Sequence, residues 1–104
     1  MAKARTTKPT GNLAEEVLRE VRVRIRAAEI SLDEAYRRLL SGLRADAFDL
    51  WLRAYTYVSV GLVLLDLLAA VRAVSPKEHR ELRAALWGLH YDVWRLYEAI
   101  GLPV

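Results

Sequence analysis

Residues 54–71, AYTYVSVGLVLLDLLAAV, carry a single charge, Asp66, in eighteen positions. This run constrains the fold more than any other feature of the chain. A helix apolar on nearly every side is either a central helix covered by neighbours or a membrane span, for which about 18 residues is the lower limit. Asp66 lies well inside the run, Gly61 interrupts it, and amphipathic segments flank it on both sides. These features favour a central helix packed by neighbours on every face, with lipid contact as the alternative. A carboxylate buried at such a place predicts a partner, either an arginine or a capping hydroxyl, because an isolated buried charge is costly.

The segments around it read as helices too. In LREVRVRIRAAE, residues 18–29, Val21, Val23 and Ile25 alternate with Arg22, Arg24 and Arg26 as in a strand, but the alternation fails at Ala27–Ala28. Over 13–30 a helical period holds throughout: Leu13, Ala14, Val17, Leu18, Val21, Ile25 and Ala28 share one face. Arg19, Arg22 and Arg26 group opposite, with Arg24 at the edge of the apolar stripe. Glu15–Arg19 and Glu20–Arg24 are i,i+4 pairs in the favourable order. Ser31-Leu32-Asp33-Glu34 has the form of a capping box and predicts a second helix over 32–43. Leu32, Ala35, Tyr36, Leu39, Leu40 and Leu43 form its stripe, Arg37 and Arg38 face away, and Ser41-Gly42 ends it or kinks it. The third helix, which holds the apolar run, spans about 46–74 and opens on Phe48, Trp51, Leu52 and Tyr55.

The last helix, 76–100, has the clearest boundaries. Ser75 is the N-cap, Pro76 occupies the first helical position and Glu78 completes a capping box, while Gly101 and Pro103 stop the helix. Leu82, Leu86, Leu89, Val93, Leu96 and Ile100 step by four and three, a heptad seam. Trp87, Tyr91 and Trp94 form a second stripe beside it, and two adjacent apolar stripes predict self-association through the aromatic one. The expected fold is therefore all-α: a compact bundle of about four helices in one domain over 13–104.

Charge is unevenly placed. Residues 1–12 contain Lys3, Arg5 and Lys8 and no acid, whereas from Leu13 onward 13 basic and 13 acidic residues balance, so the +3 excess sits in a short arm. An apolar core does not follow this basic start, so it does not read as a signal peptide. With no cysteine, one methionine and only Asn12 for a side-chain amide, the arginine-rich composition matches heat-adapted proteins. Lysines and arginines on an extended arm bind nucleic acid by counterion release without reading sequence. A nucleic acid is the expected partner, met by Lys3, Arg5, Lys8, Arg19, Arg22 and Arg26. At +3 per chain, useful binding needs many subunits acting together.

Catalytic signals are sparse. Glycine-rich phosphate loops, GxSxG and HExxH are missing, and His79 and His90 are too far apart along a helix to share a metal, so neither metal nor cofactor is expected. Two resemblances bear on function. The head MAKARTTKP followed by helices resembles the coat proteins of rod-shaped and filamentous archaeal viruses. That likeness implies arm contacts from Lys3, Arg5 and Lys8 and phosphate contacts from Arg19, Arg22 and Arg26 around A-form DNA, in a virion or cytoplasmic setting. Arg83 and His90, in RAALWGLH, resemble the R-x4–6-H signature of HEPN ribonucleases and nucleotide-binding partners. This implies Arg83 as phosphate clamp and His90 as general acid or base across a dimer, although Ala84 stands where that family places a polar residue. The reading adopted is a structural, self-assembling, nucleic-acid-coating subunit rather than an enzyme. A HEPN-like ribonuclease and a small interaction or membrane-associated module are the alternatives.

Overall fold

A computed structural model describes the backbone of residues 9–101 and the side chains of 13–101. Three helices follow one another: α1, Pro9–Leu40; α2, Arg44–Ala70; and α3, Pro76–Ile100. No strand occurs among the described residues, as expected for an all-α chain. The helix count is corrected from four to three, because 13–30 and 32–43 are parts of one continuous helix. The capping box at Ser31 is not used, and Ser31 is buried inside α1. The reason is visible in the spacing: Val21, Ala28, Leu32 and Ala35 are all buried on a face that runs unbroken through the supposed junction. A break there would have turned half of that face away from α2, whereas a capping serine contributes only about 1 kcal/mol.

The C-terminal ends of all three helices are set by left-handed residues. At the end of α1, Gly42 has φ 80°, and the amides of Gly42 and Leu43 donate to the carbonyls of Leu39 and Arg38 at 3.0 and 2.8 Å. This is the Schellman arrangement, which satisfies carbonyls that the helix leaves open. The same motif ends α2 earlier than the expected residue 74. Arg72 takes φ 57°, its amide donates to Ala69, and the Ala73 amide donates to Leu68 at 2.8 Å. With no glycine or proline there, the stop carries no sequence signal. Helix α3 matches its expected range: the Glu78 amide donates to the Ser75 hydroxyl at 3.1 Å, and Gly101 closes it at φ 72°.

Helices α1 and α2 form a long antiparallel hairpin, and α3 returns chiefly along α2. Ala47, Trp51, Ala54, Val58, Gly61, Leu65 and Leu68 supply the α2 seam, again in steps of four and three. Leu86, Leu89, Val93, Leu96 and Ile100 supply the α3 seam, the stripe expected from sequence. A 32-residue helix is about 48 Å long, so the molecule is a rod of 58 × 28 × 20 Å. Its radius of gyration of 17.0 Å exceeds the ~13 Å typical of a compact chain of this length.

That shape corrects a second expectation. Helix α2 is not covered on every face. Val63 and Leu67 are 59% and 57% exposed, and Val71 just beyond the helix is 70% exposed. Two neighbours contact only part of a helix's circumference, and the described residues supply no third. Leu13, Leu40 and Leu43, assigned to apolar stripes by spacing, are exposed as well.

Candidate functional site

The seam of α3 faces the hairpin, and this leaves its second stripe on the outside. Trp87, Tyr91 and Trp94 are 45%, 63% and 41% exposed. They are nonetheless held in place. Trp94 meets Trp51 edge-on at 5.9 Å, Tyr55 at 6.0 Å and Tyr97 at 5.4 Å. Its indole N–H donates to His90 Nε2 at 3.1 Å. The Trp87 ring lies edge-on to His90 at 4.9 Å, and the Arg83 guanidinium sits over Trp87, 5.7 Å from its centroid. Arg95 covers Tyr91 in the same way at 5.8 Å. Cations on ring faces and edge-on aromatic contacts each contribute on the order of 1 kcal/mol. The stripe is thus an ordered surface rather than a set of loose side chains.

Trp51, on α2, anchors it from below. The indole is 7% exposed, lies between Phe48 and Tyr55 at 5.6 and 5.5 Å, and donates its N–H to the Val93 carbonyl at 2.7 Å. A buried indole needs that acceptor. The bond ties α2 to the middle of α3 directly beneath the aromatic stripe.

Arg83 and His90 do not meet. They are two turns apart on one helix, about 10.5 Å along its axis, and Trp87 stands between them. Arg83 lines a shallow surface depression with His79, Arg80, Ala84 and Trp87, which His90 does not line. His90 Nε2 is occupied by the Trp94 N–H, and Nδ1 is buried without a hydrogen-bond partner. Neither nitrogen is presented to a substrate within a single chain.

The arginines of α1 are largely committed to carboxylates. Arg22 pairs with Glu78 at the start of α3, tying α1 to it, and Arg24 pairs with Glu20 as the spacing predicts. Arg26 reaches Glu29 at 3.5 Å. Arg19 has no ion-pair partner among the described residues, so the expected Glu15–Arg19 pair is not formed. Lys3, Arg5 and Lys8 lie outside the described residues. Farther along α1, Arg38 is held by Glu34 at 2.9 Å and Asp46 at 3.4 Å. The Glu34 hydrogen bond raises its pKa above the ordinary arginine value, so it stays charged under all working conditions.

Asp66 occupies a different setting from the one expected. It is not buried: its side chain is 63% exposed, because it falls on the uncovered face of α2, and the His79 imidazole lies beside it, Nε2 at 3.9 Å from Oδ1. That distance is too long for a hydrogen bond. One contributing residue had no sequence signal at all. Arg44 donates from Nε to the Ile100 carbonyl at 3.0 Å and from Nη2 to the Gly101 carbonyl at 3.1 Å, closing the C-terminal end of α3. Its partners are 56 and 57 positions away, beyond the reach of any local pattern. Among the described residues no cluster of three His, Asp or Glu side chains could hold a metal ion.

Comparison with known proteins adds no relative: no family model, curated protein or solved structure matches this chain.

Proposed function

We propose that this protein is a self-assembling structural subunit that coats nucleic acid, in the manner of a viral coat protein. The observation that carries the reading is the unpartnered apolar surface along α2 and α3, including Leu52, Val63, Leu67, Trp87 and Tyr91. Soluble monomers rarely leave many large apolar side chains open, and copies of the same chain are the simplest cover for them. Basic charge concentrated in residues 1–12 supports contact with a polyanion. Arg19 extends that charge onto α1. Arg22 and Arg26 join it only by exchanging a carboxylate for a phosphate, which is inexpensive because exposed ion pairs contribute at most about 1 kcal/mol.

The test is binding of the full chain and of the Lys3→Ala/Arg5→Ala/Lys8→Ala variant to double-stranded DNA across a salt series, with electron microscopy of the same mixtures. The expected result is salt-sensitive binding, weakened by the triple substitution, together with filaments. Absence of binding by the intact chain at low salt defeats the reading.

A membrane-associated role is the second reading, favoured by one observation. Helix α2 is long and apolar enough to cross a bilayer, and only 28% of that stretch is buried within the chain. Flotation with lipid vesicles and a requirement for detergent during purification distinguish it. The ribonuclease reading receives less support, because His90 has no nitrogen facing an open site.

A further inference from the structure

The outer surface of α3 is more regular than a row of three aromatics. Arg80, Ala84, Trp87, Tyr91, Trp94 and Glu98 step by 4, 3, 4, 3 and 4, and all six are exposed. They form a second heptad seam on the outer side of α3, basic at its first position, acidic at its last and aromatic in the middle, with Trp94 at its edge also packing against Trp51 and Tyr55 of α2. Arg80 and Glu98 have no ion-pair partner among the described residues.

We infer that α3 pairs with α3 of a second copy, antiparallel and two-fold symmetric, through this seam. In an antiparallel helix pair, each residue of one alternating seam position faces the other seam position of the partner. The register that fills every layer places Arg80 against the second copy's Glu98, Ala84 against its Trp94 and Trp87 against its Tyr91. Opposite charges close both ends, a small residue meets a large one, and two aromatic layers form the centre. The flanking positions agree: Glu81, also without an ion-pair partner among the described residues, falls beside the second copy's Arg95. Parallel pairing in register would instead stack Arg80 on Arg80 and Glu98 on Glu98, which like charges oppose. The occupant is therefore a second copy of this chain, chosen by charge complementarity as well as by apolar surface. This pairing rests on the self-assembly part of the proposed function and specifies its first contact.

The chain has no cysteine, so single cysteines report the geometry cleanly. Gly88 lies beside the seam and close to the two-fold axis, and a Cβ added there meets nothing within 4 Å. In the antiparallel register the two copies of residue 88 lie on the same side, about 3 Å apart along the axis, whereas those of residue 84 are about 15 Å apart. Gly88→Cys is expected to form a disulfide-linked dimer under mild oxidation, and Ala84→Cys is not. Parallel pairing reverses this pattern. Reversal, or no cross-link at either position, overturns the inference.

Charge reversal provides an independent readout by analytical ultracentrifugation. Arg80→Glu should weaken self-association about tenfold or more, and Arg80→Glu/Glu98→Arg should restore it. Equal behaviour of the two variants overturns the pairing. DNA-bound filaments without the Gly88 cross-link would overturn this pairing and leave the coat reading intact. The cross-link without any DNA binding would support the pairing and remove the coat reading.

Discussion

At the residue scale, Trp51 and Trp87 show how one residue type takes opposite roles. Trp51 is enclosed by Phe48, Tyr55, Trp94 and Tyr97, and its N–H has one acceptor, the Val93 carbonyl. Trp51→Phe removes that bond and part of the packing, and should cost about 2 kcal/mol in urea denaturation. Trp87→Phe, at a position open to solvent in the single chain, should cost under about 0.5 kcal/mol when measured at dilute concentration. Equal losses at the two positions would mean that the aromatic stripe of α3 belongs to the core. Spacing alone placed both residues on apolar stripes. Which stripe is enclosed depends on where the other helices lie.

At the element scale, two glycines and one arginine make the connections between sequence and helix testable. A Cβ at Gly61 would stand 2.9 Å from Leu86 Cδ2, and Leu86 is fully buried. Gly61→Ala gains about 1 kcal/mol of helix propensity but forces overpacking worth about 1–3 kcal/mol, so a net loss is expected. Gly88→Ala has no such neighbour and should stabilise by about 0.5–1 kcal/mol. Arg72 holds a left-handed conformation that glycine adopts without strain. Arg72→Gly should therefore raise stability by roughly 0.5 kcal/mol, after the added freedom of the unfolded chain is subtracted. Thermal or chemical denaturation checks all three. The caps of α3 were legible in Ser75, Pro76 and Gly101, because their chemistry is local. The continuity of α1 and the early stop of α2 were not, because the first is decided by packing on α2 and the second by a residue with no turn signature.

At the scale of the whole molecule, length dominates. Long helices in a chain this small produce a rod with much surface and a narrow core, and part of the apolar pattern is left without cover. If copies supply that cover, the melting temperature should rise with protein concentration, as it does whenever association favours the folded form. The Arg80→Glu substitution should flatten the dependence. A concentration-independent melting temperature with a monomeric mass at every concentration would mean that the strip stays exposed in solution.

What the amino-acid order determined alone was the helical class, the four-and-three seam of α3, the caps of α3 and the concentration of charge in the first twelve residues. Each depends on neighbours within about two turns, where side-chain spacing and backbone chemistry suffice. Only the tertiary structure decided the number of helices, the exposure of Asp66, the Arg44 closure of α3 and which apolar stripe remains free. Those depend on residues dozens of positions apart, and on how much of each helix two neighbours are able to cover.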